Sequence, residues 1–398
     1  MDVKAIVGRQ RDLFVADFEA HAAALTQAIR GARVLVFGGA GSIGKEVALQ
    51  VVAHEPAALD VIDISENNLV ELVREIRSSV GYTSGDMQFL PLDMGGPEAE
   101  AFLAAQKPYD YVLNLAAMKH VRSEKDAYSL MRMIKVNVLD TATTLKSAAA
   151  MSARKYFAVS TDKAQNPANL MGATKRIMED MLFASEAGQT VVSTARFANV
   201  AFSDGSLLHG FRQRLVRRQP ISAPVDTRRY FVTGEESGIL CLLSTVLGAH
   251  REIFFPKLDP DQELETFSVI AERFLRANGF EPVSLPSEDE ARRAAPELIA
   301  EGKWPCYFFK SDTSGEKPFE EFFAPEDDID WDRFVDVGVI RSPKLSEEEE
   351  ARAGRFVDAI GEMRRARTWN KAMLVKCISD ACPGLSHVET GRSLDSRM

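Results

Sequence analysis

Short apolar runs alternate with helical stripes along the first half of this chain. Phe14, Phe18, Ala22, Leu25 and Ile29 recur at helical spacing, and Gly31 ends that helix. Arg33–Phe37 reads as a strand, followed by a glycine-rich turn and a helical pattern from Lys45 to Val52. Further strands are expected at Leu59–Ile62, Met87–Leu90, Tyr111–Leu115, Tyr156–Val159 and Val191–Phe197. Helices are expected between them: Asn68–Arg77, one that carries Asn137, and one from about Lys175 to Ala187. This alternation predicts an α/β fold, a doubly wound parallel sheet with crossover helices.

Beyond Phe202 the texture changes. Ser203–Ser206 is loop, and Leu207–Arg218 is a helix rich in arginine (Arg212, Arg214, Arg217, Arg218), either a solvated face or an attractor of phosphate. Ile253–Lys257 reads as a strand, and Thr266–Asn278 as an amphipathic helix stopped by Gly279. Pro286–Lys303 is strongly charged and is expected to be a surface insertion. Ser346 and Glu349 have capping-box spacing at the start of a helix that ends in Arg364, Arg365 and Arg367. The expected division is an N-terminal helix (1–30), a nucleotide-binding domain with the catalytic residues (31–202), a smaller substrate-binding part (203–335) and a helical extension (336–398).

A chain of 398 residues with 45% hydrophobic and 27% charged residues can bury a large core. Its net charge of −10 argues against a general nucleic-acid or membrane-surface binder. Four cysteines without tight spacing beside histidines suggest neither a metal site nor a disulfide framework. No window approaches the roughly 20 apolar residues that span a bilayer, and charges interrupt the N-terminus. The expectation is a soluble protein in a reducing, cytoplasmic setting, without membrane insertion.

Candidate chemistry gathers at strand ends. Gly38, Gly41 and Gly44 form GxxGxxG between a strand and a helix, with Ser42 and Ile43 at the helix start. Such a loop frees the backbone to approach a pyrophosphate and aims a helix N-terminus at it. Asp63 ends the second strand, nineteen residues past Gly44, where an acid suits the ribose hydroxyls of NAD. The following Ile64 to Asn68 offers no arginine for the extra phosphate of NADP. Asp93 and Met94 would meet the adenine end, and the small Ala116 and Ala117 would let the nicotinamide half lie close. Lys119 and His120 could face a substrate. After the strand ending at Ser160 come Thr161, Asp162 and Lys163, and Lys175 follows Thr161 by fourteen residues.

These residues resemble the UDP-N-acetylglucosamine 4,6-dehydratases, a branch of the extended short-chain dehydrogenase/reductases with a Rossmann-type fold. The matching segments are GGAGSIG, DISENN, NLAAMKHV, STDKAQNPANLMGATKR, RFANV, DTRRYFVT and a later SGEK. The resemblance implies a lyase that uses NAD to turn a UDP-sugar, UDP-GlcNAc by default, into a 4-keto-6-deoxy sugar for surface polysaccharide or glycan synthesis. Its active-site positions fall on Thr161, Asp162, Lys163, Met171 and Lys175, with Asp162 as acid and Lys163 as base, or the reverse. Substrate contacts fall on Lys119, His120, Asn199, Arg229 and Glu316. Many members carry tyrosine where this chain has Met171; large membrane-anchored members share the methionine, and their membrane helices are not expected here. A homo-oligomer is the default expectation. Two other readings stay open: a UDP-sugar 4- or 5-epimerase on the same fold, and a non-catalytic nucleotide-sugar binder.

Overall fold

The computed structural model describes residues 1–81, 85–184, 187–311 and 317–387. Two helices, α1 (Val3–Ile6) and α2 (Val15–Ile29), lead into β1 (Arg33–Phe37). Helix and strand then alternate: α3 (Ser42–Ala53), β2 (Ala58–Ile62), α4 (Glu66–Ser79), β3 (Asp86–Leu90), α5 (Pro97–Ala105) and β4 (Tyr111–Asn114). They continue as α6 (Ala127–Ile134), α7 (Asp140–Ala150), β5 (Lys155–Thr161), α8 (Leu170–Ala184) and β6 (Val191–Phe197). These strands pair in parallel in the order β6-β5-β4-β1-β2-β3. The order reverses between β1 and β4, and in such sheets the crevice at the reversal is the usual ligand site. The central strands are apolar throughout because helices cover both faces; Val34–Phe37 and Val112–Leu113 are buried. This is the expected doubly wound sheet.

The chain then leaves the sheet through β7 (Asn199–Val200), α9 (Leu207–Val216), β8 (Ile221–Pro224), β9 (Arg228–Arg229), β10 (Phe231–Val232) and α10 (Gly234–Leu247). It returns as β11 (Glu252–Pro256), parallel to β6. A second excursion holds β12 (Glu265–Thr266), α11 (Phe267–Ala277), β13 (Glu281–Ser284), α12 (Glu288–Ala300) and β14 (Lys303–Phe309). Finally β15 (Ile329–Asp330) and β16 (Val337–Arg341) extend the sheet in antiparallel register beside β11. The sheet that begins in 31–202 is finished by strands from 203–335 and 336–398, because strand partnership is set by long-range packing that local pattern does not report.

A smaller lobe stands at the strand ends, with the sheet β13-β14-β8 under α11 and α12. The charged segment expected as a surface insertion is α12. Its Ala291, Ala295 and Ile299 recur every four residues and are buried, Ala295 and Ile299 against a core with Phe274, Trp304 and Cys306. The acidic and basic residues between them masked that stripe.

The last helices, α13 (Glu347–Ala366) and α14 (Lys371–Ala381), form a hairpin against α6 and α8. Ser346 and Glu349 close the capping box in both directions. Phe356, Ile360, Leu374 and Ile378 interdigitate with Met131, Ile134, Leu170, Met171 and Ile177 in a separate core. Trp369 Nε1 donates to the carbonyl of Ala127 at 3.2 Å and ties the hairpin's turn to α6. Among the described residues no helix is long and apolar enough to cross a membrane.

The hairpin is expected to support α8. Phe356→Ala, which empties a buried site, should cost about 3–5 kcal/mol in denaturant unfolding and speed amide exchange along α8. Unchanged exchange in α8 would separate the hairpin from that role.

Candidate active site

The glycine loop is shaped by backbone contact. Gly38 has φ of +68°, and a Cβ there would lie 2.5 Å from the amide nitrogen of Ala116. A Cβ on Gly44 would collide with the carbonyl of Gly38, so α3 can sit tight on the turn only without one. Asp63 grips this loop from the end of β2: Oδ2 accepts from the Ala40 amide at 3.0 Å and Oδ1 from the Ser65 amide at 2.9 Å. Each oxygen keeps a lone pair for a further donor. Gly38, Gly41, Ser42, Ile43, Gly44, Asp63, Ile64, Asp93, Met94, Ala116 and Ala117 all line one cleft of about 1440 Å³. The missing Cβ atoms, the helix N-terminus and the acid suit a dinucleotide with free ribose hydroxyls.

Asp93 has a further task. Its carboxylate receives Arg132 Nη1 and Lys135 Nζ at 3.1 Å; burial opposes the charge, but these cations prevail and hold the group below its ordinary value. Lys135 opens a turn of π-helix, Lys135–Leu139, between α6 and α7. That turn presents Asn137, whose side chain accepts from the Met118 amide (2.9 Å) and donates to the Met118 carbonyl (3.1 Å) and to Thr174 Oγ1 (3.0 Å). The segment after β4 is thus fixed to α8.

Beside the dinucleotide half, β5 ends at Thr161 and turns through a short 3-10 segment, Asp162–Ala164. Asp162 Oδ1 accepts from Thr161 Oγ1 at 2.8 Å and from Lys163 Nζ at 2.9 Å. Lys163 Nζ also donates to Asn199 Oδ1 at 3.4 Å. Thr161, Lys163 and Asn199 line the cleft; Asp162, 1% exposed, lies behind that wall. The start of α8 is held by two carbonyl-type acceptors, Asn169 Oδ1 on the Gly172 amide and Glu124 Oε1 on the Met171 amide, each at 2.8 Å. Met171 is buried, part cleft wall and part hairpin core. One turn on, Lys175 Nζ donates to the Val159 carbonyl at 2.9 Å, and burial pushes its amine down to about 8 against the partial opposition of Glu179.

The cleft is also lined by Lys119, whose Nζ donates to Ser203 Oγ at 3.1 Å, and His120, whose ring sits over Gly205. Arg229 reaches the cleft, but its Nη1 donates to the carbonyls of Arg228 (2.8 Å) and Lys317 (3.0 Å). Glu316 lies outside the described residues. None of the arginines of α9 lines the cleft; Ser206, Leu207 and Leu208 at its N-terminus do, and Arg212 stacks on Phe202 at 4.2 Å. Reasoning from sequence missed Glu124 and Glu320. Glu320 follows Lys317 by three residues, so the SGEK resemblance stopped just short of it.

The chain belongs to the polysaccharide biosynthesis protein family, whose pattern matches residues 34–293. It is 28% identical over 307 residues to the capsular polysaccharide biosynthesis protein CapD of Staphylococcus aureus, covering 76% of this chain and 49% of CapD. It therefore spans about half of that relative's length. It is 31% identical over 235 residues to an inverting UDP-N-acetylglucosamine 4,6-dehydratase of Campylobacter jejuni, covering 57% of this chain and 67% of that enzyme. In fold it is similar to DesIV, a dTDP-glucose 4,6-dehydratase from Streptomyces venezuelae solved with NAD, at a TM-score of 0.57 and 17% identity over 84% of this chain and 98% of DesIV.

Lys175 gives this site a pH signature. In the folded protein its amine loses its proton near pH 8, against 10.5 in the unfolded chain. The burial penalty on the charge is thus fully present below about pH 8 and fades as pH rises to 10.5. Wild type should gain stability relative to Lys175→Met across that window, as followed by urea unfolding at each pH. A difference that does not change with pH would mean that the amine is not desolvated.

Proposed function

We propose that this protein is an NAD-dependent nucleotide-sugar 4,6-dehydratase that acts on a UDP-N-acetylhexosamine, with UDP-GlcNAc the first candidate. One observation carries the reading: Lys163, tied to Asp162 at the end of β5, lines the same cleft as Lys175 and the glycine loop. Simple 4-epimerisation needs no acid–base machinery at carbons 5 and 6, so a lysine–carboxylate pair at this place favours water loss. The Campylobacter relative and DesIV are both sugar-nucleotide 4,6-dehydratases, which supports that class.

NAD, when bound, takes a hydride from carbon 4 of the sugar and returns it to carbon 6. The glycine loop and Asp63 would hold its pyrophosphate and adenosine ribose, and Lys175 its nicotinamide ribose. Thr161 Oγ1 gives its hydrogen to Asp162 and accepts from the Lys163 amide at 3.4 Å, which leaves one lone pair to receive the carbon 4 hydroxyl. Oxidation at carbon 4 acidifies the hydrogen on carbon 5, and Lys163 Nζ is the base that takes it. Asp162 positions that amine, since it lies behind the wall and not on it. Met171 can accept no proton, and the carbon 4 hydroxyl needs another acceptor.

Incubation with NAD and UDP-GlcNAc should yield a product lighter by one water, identified by mass and NMR as a 4-keto-6-deoxy sugar. A product of equal mass would mean epimerisation, and bound but unchanged substrate would mean a non-catalytic binder. Lys163→Ala should lower turnover by about 10²–10⁴ with NAD affinity preserved; near-normal turnover would remove Lys163 from the mechanism.

A further inference from the structure

Glu320 is a carboxyl that the scheme above leaves without a task. It is 3% exposed, yet it lines the cleft with Thr161, Lys163 and Asn199. Two cations approach it at ion-pair distance only, Arg229 Nη2 at 3.6 Å and Lys317 Nζ at 3.8 Å. Its Oε2 receives no hydrogen bond among the described residues. A buried carboxyl without donors is costly to maintain, and such costs concentrate where chemistry is done. Its segment is held in place from both ends: Lys317 Nζ donates to the Gln165 carbonyl at 3.2 Å, and Arg196 Nη1 to the Phe322 carbonyl at 2.7 Å.

Proton bookkeeping says what this carboxyl can do. Net loss of water from the sugar removes the hydrogen of the carbon 4 hydroxyl and the whole hydroxyl of carbon 6. The carbon 5 hydrogen that Lys163 takes goes back to carbon 5. The carbon 4 hydroxyl proton must therefore be stored and then delivered to the oxygen leaving carbon 6. We propose that Glu320 is that proton carrier; the proposal rests on the dehydratase reading. In the oxidation the O–H bond at carbon 4 breaks, its proton passes to the ionised Glu320, and its electron pair forms the C=O as hydride leaves carbon 4 for bound NAD. In the elimination the C5–H electrons form the C5=C6 bond, the C6–O bond breaks, and the Glu320 proton goes to the departing oxygen as water. Hydride return to carbon 6, with reprotonation of carbon 5 by Lys163, leaves Glu320 ionised for the next cycle. Carbons 4 and 6 flank carbon 5, so one carboxyl can serve both oxygens. Burial raises the Glu320 carboxyl; Lys163 opposes that, the charge of Asp162 adds to it, and Arg229 and Lys317 oppose it, with a net upward shift. A carboxyl moved toward the working pH can both take and give a proton.

Glu320→Gln, Glu320→Asp and wild type should be compared with NAD and UDP-GlcNAc, and the free proteins by infrared titration of the carboxyl stretch. Glu320→Gln should lose about 10²–10³ in kcat with KM and NAD affinity within about threefold. It should also lose the acid limb of the pH profile and keep the wild-type melting temperature; Glu320→Asp should recover part of the rate. The infrared spectrum should show a carboxyl that titrates above the ordinary glutamate value and is absent from Glu320→Gln. A Glu320→Gln kcat within about threefold of wild type, or an infrared titration that the substitution leaves unchanged, would overturn the proposal. Absence of water loss in the wild type would refute the dehydratase reading instead, and the infrared titration would still decide whether Glu320 holds a proton.

Discussion

A buried ion pair holds together the part of the cleft formed by β5, β6 and α8. Arg196 on β6 donates to Glu179 on α8, Nη2 to Oε2 at 2.8 Å and Nε to Oε1 at 3.0 Å, both residues almost fully buried. Ser160 Oγ donates to the same carboxylate at 2.6 Å, and Arg196 Nη1 turns outward to Gln165 Oε1 and the Phe322 carbonyl. One guanidinium therefore joins β5, β6, α8, the loop after Thr161 and the segment that bears Glu320. Burial pushes the Glu179 carboxyl up, but the attraction of Arg196 outweighs it and the group ends below its ordinary value. Such a pair earns little net stability but is costly to break, about 3–5 kcal/mol when one partner is removed. Its value here is geometric: it sets where Thr161, Lys163, Lys175 and Glu320 stand relative to one another.

The same helix explains how methionine can occupy position 171. Met171 is anchored at its amide by Glu124 and at its side chain by the hairpin of α13 and α14. A polar residue there would have to leave part of an apolar core. The place contributes packing, and the proposed mechanism assigns proton transfer to Lys163 and Glu320, which line the same cleft. The C-terminal helices, far along the chain from the glycine loop, thereby become part of the site's construction.

Much of this was legible in the sequence. The sheet followed from strand–helix alternation, and the glycine spacing, Asp63 and the Thr161–Lys175 stretch located the cleft because each is a local pattern with a local cause. What escaped depends on distant partners. Glu124 caps Met171 across 47 residues, and Arg196 reaches Phe322 across 126. The return of β11, β15 and β16 to the first sheet has no signature in periodicity, and the buried stripe of α12 was hidden by charge. Asp162 read as a cleft-facing acid because it adjoins Lys163, whereas the turn after β5 points it inward.

The central claim is that hydrogen leaves carbon 4 of a nucleotide sugar and returns to carbon 6 within one binding event. The most direct test uses UDP-GlcNAc deuterated at carbon 4, with NMR of the product. Deuterium in the carbon 6 methyl group of a 4-keto product is the predicted result. Deuterium retained at carbon 4 of an isomer of unchanged mass would contradict it.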